Sequence, residues 1–218
     1  MGQIAENVRR ILRDLPAGVT LVAAAKGRSA AEITEAIEAG ISVVGENYVQ
    51  ETERVRTLVN RPAQWHCIGH LQKNKVKKAA ALFDLIQTVD SVSLAEEISR
   101  VATSAGRVMP VLIEVNSGRE TAKSGVLPEQ VVLVVGQVAT LPGVRVRGLM
   151  TMGPPLSAIE LRPYFAETRS LFDCLKRDPP PGVEIEFLSM GMSDSYQVAI
   201  EEGANMVRIG RAIFGPAA

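Results

Sequence analysis

The sequence has few cysteines, no net charge and no long apolar run. Its two cysteines, Cys67 and Cys174, cannot form a disulfide framework, and their spacing matches no metal-binding motif. The 24 lysines and arginines balance 24 aspartates and glutamates, which gives no support to a general nucleic-acid-binding role. No apolar run is long enough to span a bilayer, and the polar start at Met1–Asn7 lacks the apolar core of a signal peptide. These features predict a cytoplasmic protein in a reducing compartment.

The remaining composition is typical of a soluble globular protein. Hydrophobic residues make up 46% and charged residues 22% of the 218 residues. A chain of this length can build one large α/β domain or two small ones. No linker, low-complexity stretch or change in composition divides it, so we predict a single domain over residues 1–218.

Short apolar segments alternate with amphipathic ones along the chain. Apolar residues at helical spacing between Ile4 and Leu15 predict an N-terminal helix, and a strand follows from Val19 to Ala25. Further strands are predicted near 42–44, 64–68, 84–89, 109–115, 145–150, 184–189 and 206–209. Ser29 and Glu32 have the spacing of a capping box and open the helix between the first two strands. The other helices are predicted near 47–59, 73–82, 91–105, 128–139, 157–176 and 194–202, with a last short one after Gly210.

Eight strands, each followed by a helix, predict a parallel sheet closed into an α/β (β/α)8 TIM barrel with an extra N-terminal helix. An open doubly wound sheet is the alternative. No G-x-G-x-x-G motif follows the first strand, which weakens the dinucleotide-binding form of that alternative. In a TIM barrel, binding and catalytic groups lie at the C-terminal ends of the strands.

Lys26 directly follows the first strand, at the predicted mouth of the barrel. A lysine that leaves an apolar strand is expected to be partly desolvated, which favours the neutral amine that forms Schiff bases. Taken alone, an ordinary surface lysine on a loop is the simpler interpretation. The other strand ends decide between the two.

The loops after the last two strands have the features of a phosphate site. Ser189-Met-Gly-Met-Ser193 follows the seventh strand and Arg208-Ile-Gly-Arg211 ends the eighth, where TIM barrels commonly bind phosphate. Gly191 and Gly210 would let backbone N–H groups approach an anion. Ser193 is predicted to cap the following helix, whose N-terminus favours negative charge. Each feature alone is an ordinary cap or turn, but together they favour a phosphate site.

An amine and a phosphate site at one barrel mouth suggest a phosphorylated aldehyde held covalently. Pyridoxal 5′-phosphate fits, because its phosphate anchors while its aldehyde condenses with lysine. Class I aldolases acting on sugar phosphates also use a lysine amine and a phosphate site. The pairing alone therefore does not choose between a pyridoxal phosphate site and an aldolase site.

The two histidines, His66 and His70, lie where a strand end meets a glycine turn. No third ligand is nearby, so a metal site is not expected, and a hydrogen-bonded histidine at the barrel mouth is favoured. The basic run from Lys73 to Lys78 is interpreted as a solvated helix face.

Motifs along the whole chain resemble those of the pyridoxal-phosphate homeostasis protein family, which is related to the barrel domain of bacterial alanine racemase. The matching segments, in chain order, are Leu21-Val-Ala-Ala-Ala-Lys26, Gly45-Glu-Asn-Tyr-Val-Gln-Glu51, Trp65-His-Cys-Ile-Gly-His-Leu-Gln-Lys-Asn-Lys75, Thr88-Val-Asp-Ser91, Val115-Asn116, Lys123-Ser-Gly125, Gly148-Leu-Met-Thr-Met152, Leu188-Ser-Met-Gly-Met-Ser193 and Val207-Arg-Ile-Gly-Arg-Ala-Ile-Phe-Gly215.

The resemblance implies the alanine racemase barrel fold and pyridoxal 5′-phosphate bound to Lys26 as a Schiff base. It places Asn47 near the cofactor ring and Arg208 at the pyridine nitrogen, with the two glycine loops holding the phosphate. The cofactor-binding residues implied are Lys26, Asn47, Ser189, Met192, Ser193, Arg208, Gly210 and Arg211. Two positions depart from the family pattern. Ala25 stands where serine is usual, and Ser195 stands where an acid is common, with Asp194 beside it as a candidate substitute.

Arg208 also bears on whether the protein is an enzyme. An arginine stays charged and only donates, so beside the pyridine nitrogen it disfavours protonation and makes the cofactor a poorer electron sink. A two-base racemase needs a second acid or base, which in alanine racemases is a tyrosine from a second domain of the partner subunit. Here the chain ends soon after the predicted barrel, and its tyrosines are Tyr48, Tyr164 and Tyr196.

We therefore predict a protein that binds pyridoxal phosphate and acts in intracellular vitamin B6 and amino-acid homeostasis, with no catalytic residues. An enzyme with weak racemase-like activity on amino acids is the alternative. Loss of the racemase's dimerising domain favours a monomer. Client enzymes that use the cofactor, or a regulatory protein, are the expected partners.

Overall fold

A closed barrel of eight parallel strands forms the centre of the computed structural model, which describes residues 2–216. The strands are β1 (Thr20–Ala24), β2 (Val43–Glu46), β3 (Gln64–Cys67), β4 (Leu85–Val89), β5 (Met109–Val115), β6 (Val144–Thr151), β7 (Phe187–Ser189) and β8 (Met206–Ile209). Each strand pairs with the next in sequence, and β8 pairs with β1. The predicted TIM barrel is therefore confirmed. Residues 1, 217 and 218 of the predicted domain lie outside the described residues.

Helices follow the strands around the outside of the barrel, as the alternating pattern predicts. They are α1 (Gln3–Asp14), α2 (Ala30–Glu38), α3 (Val49–Arg56), α4 (Val76–Leu82), α5 (Val92–Ser104), α6 (Val131–Ala139), α7 (Ala158–Arg177), α8 (Tyr196–Glu201) and α9 (Arg211–Phe214). Single 3-10 turns, Lys73–Lys75 and Pro128–Gln130, precede α4 and α6. The extra helix α1 packs against α2 and α9. Within residues 2–216, no helix is both long and apolar enough to cross a membrane.

The capping box at the start of α2 is confirmed. The backbone N–H of Glu32 donates to Ser29 Oγ, and the backbone N–H of Ser29 donates to Glu32 Oε2, at 3.3 and 2.8 Å. These two bonds satisfy donors that the first turn of the helix cannot pair internally. The helix therefore begins where the sequence predicts.

Several element boundaries differ from their predictions. The seventh strand is Phe187–Ser189 rather than 184–189, α3 covers Val49–Arg56 rather than 47–59, and α8 covers Tyr196–Glu201 rather than 194–202. The regular pairing of β7 with β6 begins at Phe187 opposite Gly148, next to Arg147, which the pairing between β5 and β6 skips. Glu184 and Glu186 still donate backbone N–H groups to β6, but outside a regular ladder.

The barrel interior is apolar at two places and polar between them. Apolar clusters are formed by Val22, Val43, Ile68 and Met206, and by Leu85, Leu112 and Met150. Gln87 on β4 and Ser189 on β7 are hydrogen-bonded although their strands are not neighbours, so their side chains meet across the interior. TIM barrels usually fill this space with branched apolar residues. Here it also carries fully buried polar groups that lie beneath the mouth.

Candidate functional site

A cavity of about 590 Å³ opens at the C-terminal ends of the strands. It brings together side chains from the loops after β1, β2, β7 and β8, which meet because parallel strands end at one edge. The predicted site residues that line it are Lys26, Asn47, Met192, Ser193, Arg208, Gly210 and Arg211. The predicted Ser189 lies beneath the cavity, fully buried.

Lys26 stands at the open rim of this cavity. The preceding residue, Ala25, is buried and donates its N–H to the carbonyl of Gly45, which fixes the backbone where β1 ends. The Lys26 side chain is exposed, with its Nζ 5.4 Å from the centre of the Tyr48 ring. The expected partial desolvation of Lys26 is therefore wrong, because its side chain points past the apolar strand into the mouth.

Glu51 bonds the turn that carries Lys26, and a second glutamate, Glu46, ends the neighbouring strand β2. Glu51 on α3 accepts the backbone N–H of Gly27 at 3.3 Å. Glu46, at the end of β2, is 1% exposed, and its Oε2 has no hydrogen-bond partner among the described residues. Burial, together with the nearby charge of Glu51, raises the pKa of Glu46 to about 7. A large share of Glu46 is therefore protonated at neutral pH.

Arg208 forms the floor of the cavity and is only 4% exposed. Its Nη1 donates to Ser189 Oγ at 2.7 Å, and its Nη2 donates to the carbonyl of Thr151 at 2.9 Å. Burial lowers the pKa of Arg208 to about 10, against the opposing charge of Glu114. The side chain therefore remains a cation at neutral pH and is fixed in one orientation.

The two glycines of the predicted phosphate loops are required by close packing. Gly191 has a φ of +92°, and a Cβ there would lie 2.6 Å from Ala199 Cβ. At Gly210 a Cβ would lie 3.0 Å from the carbonyl oxygen of Ala24. Gly210 lines the cavity, so the loop after β8 brings bare backbone to it, as an anion site needs. Gly191 is buried and packs against α8.

Ser193 joins the two loops instead of capping the helix that follows it in sequence. α8 begins at Tyr196, and Ser193 Oγ accepts the N–H of Ala212 in the first turn of α9, at 3.2 Å. The prediction that Ser193 caps α8 is therefore wrong, because α8 begins three residues after Ser193. Ser193 caps the helix after β8 from across the cavity.

The two departures from the family pattern have structural consequences of their own. The hydroxyl of Ser195 accepts the N–H of Met192 at 3.2 Å, which closes the loop after β7 on itself. Asp194 forms an ion pair with Arg211, which links the loops after β7 and β8. Ala25 is completely buried and packs in the core.

Asn47 lines three cavities at the barrel mouth. A second cavity of about 350 Å³ shares Asn47, Lys123, Met152 and Gly153 with the first. It contains Glu114, whose buried Oε2 has no partner among the described residues. Burial and the charge of Asp90 raise the pKa of Glu114 to about 7, while the charge of Arg208 opposes that rise. A polar residue inside the apolar strand β5 is the signal by which Glu114 could have been found.

The two histidines lie at opposite ends of the barrel. His70 is at the mouth, where its Nδ1 is 3.0 Å from Ser124 Oγ and 3.3 Å from Asp90 Oδ2. His66 is buried inside the barrel and lines a cavity at the N-terminal ends of the strands. The prediction of a hydrogen-bonded histidine at the mouth thus applies to His70. Among residues 2–216, no group of three His, Cys, Asp or Glu side chains is placed to hold a metal ion.

Comparison with known proteins matches residues 1–218 to the family described as alanine racemase, N-terminal domain. The chain is also 45% identical to the pyridoxal phosphate homeostasis protein of Aquifex aeolicus over 185 residues, which cover 84% of this chain and 80% of that one. It is 36% identical to the protein of the same name from Pasteurella multocida, over 99% of this chain and 95% of that one. The chain belongs to the pyridoxal phosphate homeostasis protein family.

Solved structures agree with this assignment to the homeostasis family. PipY of Synechococcus elongatus, determined with pyridoxal phosphate bound, has a TM-score of 0.89 and 35% identity, covering 97% of this chain and 100% of that one. An alanine racemase of Clostridium difficile has a TM-score of 0.80 but 17% identity, and the match covers 98% of this chain and 56% of that one. The homeostasis family therefore shares the barrel fold of alanine racemase.

Proposed function

We propose that this protein binds pyridoxal 5′-phosphate through Lys26 and acts in the homeostasis of that cofactor inside the cell. The observation that carries the proposal is a single cavity in which Lys26, the buried Arg208 and the loops after β7 and β8 converge. The relatives named for this role, and PipY with the cofactor bound, support it.

The residues present fit the cofactor. When bound, pyridoxal phosphate supplies an aldehyde that condenses reversibly with an amine and a phosphate that anchors the ring. Lys26 would hold the aldehyde carbon, and the loops at Met192–Ser193 and Gly210–Arg211 would hold the phosphate. The bare backbone at Gly210 matters here, because a Cβ would already crowd Ala24. Asn47, which lines the same cavity, would lie beside the ring.

Arg208 favours a carrier over a catalyst. Its guanidinium is a pure donor fixed by Ser189 and Thr151, so it cannot accept a proton from the pyridine nitrogen or give one up readily. A carboxylate in that position would stabilise a protonated ring and with it carbanion chemistry. We therefore place the protein among cofactor-holding proteins without robust catalysis.

A weak racemase-like activity on amino acids is the second candidate, and one contact favours it. Tyr48 is half exposed and its ring centre lies 5.4 Å from Lys26 Nζ, so a phenol and an amine are neighbours at the barrel mouth. Both groups come from neighbouring loops, whereas a two-base mechanism needs them on opposite faces of the substrate. This arrangement supports slow proton exchange at most.

A lysine substitution tests cofactor binding. We expect Lys26→Ala to lose the absorbance band of the lysine-bound cofactor, because no amine then remains at the end of β1. Lys77→Ala, on the outer helix α4, is the matched control and should keep the band. Equal bands in both variants would place the cofactor elsewhere.

Proton exchange tests the enzyme alternative. The loaded protein is incubated with single amino acids in deuterated water, and exchange at Cα is followed by mass spectrometry. The carrier role predicts no exchange above that of free cofactor. Exchange that requires both Lys26 and Tyr48 would establish the racemase-like role instead.

We further propose a cytoplasmic monomer that delivers the cofactor to client enzymes or acts with a regulatory protein. The equal numbers of acidic and basic residues and the absence of a membrane-crossing helix in residues 2–216 are compatible with this role. Light scattering of the loaded protein should give the mass of one chain. Reactivation of a cofactor-free client enzyme should be faster with the loaded protein than with the same amount of Lys26→Ala.

A further inference from the structure

Four buried polar side chains form a continuous hydrogen-bonded chain through the barrel. It runs from below the cofactor cavity to the opposite end of the barrel, where the strands begin. Arg208 Nη1 donates to Ser189 Oγ, Ser189 Oγ donates to Gln87 Oε1, and Gln87 Nε2 meets His66 Nδ1, at 2.7, 2.7 and 3.0 Å. Gln87 and Ser189 are fully buried, and His66 is 2% exposed. The chain crosses the interior from β8 to β3.

Arg208 fixes the direction of every bond in this chain. A guanidinium can only donate, so Ser189 Oγ must accept from it and keep its own proton for the next group. The group facing that proton must be the carbonyl oxygen of Gln87, which turns the amide nitrogen toward His66. His66 Nδ1 must then accept, which leaves the ring proton on Nε2.

His66, at the far end of the hydrogen-bonded chain, is consistent with this direction of the bonds. Burial lowers the pKa of His66 to about 4, against the opposing charge of Asp84, so the ring is neutral at physiological pH. A proton on Nδ1 would face the Gln87 amide nitrogen, which is also a donor, and would force the amide to turn over. The second N–H of Gln87 is occupied as well, since its Nε2 lies 3.2 Å from Met206 Sδ.

We propose that Gln87 and His66 are positioning residues that orient Arg208 through Ser189, and so set the electronic state of a cofactor bound above it. This proposal rests on the proposed function for the identity of the cofactor. Its physical basis is the free energy needed to bury the charged guanidinium of Arg208. That free energy is small only while each N–H donor of the guanidinium keeps a fixed acceptor. If Gln87 is lost, Ser189 becomes a free rotor, and the Nη1 end of Arg208 can move relative to the cavity.

The first test is made without cofactor, by long-range proton–nitrogen NMR of the histidine rings in the intact chain. His70→Asn identifies which of the two sets of signals belongs to His66. We expect His66 as the neutral tautomer with its proton on Nε2 from pH 6 to pH 8. A proton on Nδ1, or a charged ring in that range, would overturn the proposed chain.

The second test uses Gln87→Leu in the loaded protein, with the pH titration of the bound cofactor's absorbance as the readout. We expect the variant to bind the cofactor, with a titration midpoint displaced by roughly one pH unit, the usual response to a lost charge or hydrogen bond. The charged groups that act on the two ends of the chain, Glu114 and Asp84, are unchanged in it.

Met206→Leu is the matched control, since Met206 touches the same amide without carrying the chain from Arg208. It should leave the midpoint unchanged. A folded Gln87→Leu protein with the wild-type midpoint would refute the proposal. If wild-type protein binds no cofactor, the proposed function fails, whereas the NMR result still decides the hydrogen-bonded chain on its own.

Discussion

At the level of single residues, Glu46 shows how burial changes the chemistry of a side chain. It ends β2, the charge of Glu51 acts on it, and its Oε2 is buried without a partner among the described residues. The folded protein therefore favours the protonated acid, whose pKa is about 7 instead of 4.5. The unfolded chain gives up that proton at a lower pH than the folded protein does.

We expect Glu46 to make the folded state less stable as the pH rises. Between pH 4.5 and about 7 the folded state binds a proton that the unfolded state has lost, so the free energy of unfolding falls across that interval. A rise of the pKa from 4.5 to about 7 lowers the free energy of unfolding by about 3 kcal/mol across this interval. Glu46→Gln should remove it and be more stable than wild type at pH 8.

Urea denaturation at pH 5 and pH 8 checks this expectation. Glu53→Gln is the control, because Glu53 is half exposed and bonded only to Lys78 on the surface. It should change the pH dependence by less than about 0.5 kcal/mol. The same pH dependence in Glu46→Gln as in wild type would show that Glu46 ionises normally.

Gly210→Ala tests the close approach at the phosphate loops. Its Cβ would lie 3.0 Å from the carbonyl oxygen of Ala24, so the loop after β8 must move away from the end of β1. We expect cofactor affinity to fall by roughly tenfold, which corresponds to about 1.4 kcal/mol of lost binding free energy.

Gly136→Ala, inside α6, is the control for this substitution. Nothing lies within 4 Å of its added Cβ, so it should leave affinity unchanged and stabilise the helix by up to about 1 kcal/mol. Fluorescence titration of both proteins with pyridoxal phosphate compares them. Equal affinities would mean that the loop has room for a side chain.

At the level of elements, the loops after β7 and β8 act as one unit. Ser193 bonds the first turn of α9, and Asp194 pairs with Arg211, so each loop is held by the other. This arrangement matters because α9 has only four residues and little stability of its own.

Ser193→Ala is therefore expected to loosen α9 as well as the phosphate site. Loss of the cap should cost about 1 kcal/mol of stability in the cofactor-free protein. Ser104→Ala is the control, since its hydroxyl bonds only a carbonyl of its own helix α5. Hydrogen exchange of residues 211–214 should rise in the first variant alone. Unchanged exchange there would show that α9 does not depend on Ser193.

The elements themselves were largely predictable from the sequence. Apolar spacing and turn residues gave the type and order of the strands and helices, and Ser29 and Glu32 gave the start of α2. The start of β7 and both ends of α8 were missed, because the irregular bonds before Phe187 and the three-residue turn before Tyr196 depend on contacts between distant segments. Periodicity along one segment cannot report such contacts.

A residue of the candidate site was predictable when its position at the end of a strand was enough to place it at the barrel mouth. Lys26, Asn47, Arg208 and Gly210 fall into this class, and all line the cavity. Ser193 was assigned to the wrong helix, because its partner comes from α9. The bonds of Ser189 to Gln87 on β4 and Arg208 on β8 were not predicted, since they join segments far apart in the sequence. The exposure of Lys26 also depended on the shape of the mouth, which strand patterns do not define.

At the level of the whole molecule, closure of the barrel depends on a close approach between the backbones of β6 and β7. Gly148 has a φ of +148°, and a Cβ there would lie 1.9 Å from the carbonyl oxygen of Phe187. Gly148→Ala should therefore destabilise the barrel by more than about 3 kcal/mol, since backbone atoms block the added group.

Gly106→Ala separates the cost of the backbone angle from the cost of the collision. Gly106 also has a positive φ, of +65°, but nothing lies within 4 Å of its added Cβ. We expect it to cost about 1 kcal/mol. Urea denaturation of the two cofactor-free variants measures the difference, and equal losses would show that the close approach can relax.

The central claim is that Lys26 holds pyridoxal phosphate above Arg208, and one measurement tests it directly. The protein is loaded with the cofactor, reduced with borohydride, digested and mapped by mass spectrometry. We expect one modified lysine, Lys26, in the peptide that follows β1. A reduced adduct on another lysine, or no adduct at all, would contradict it.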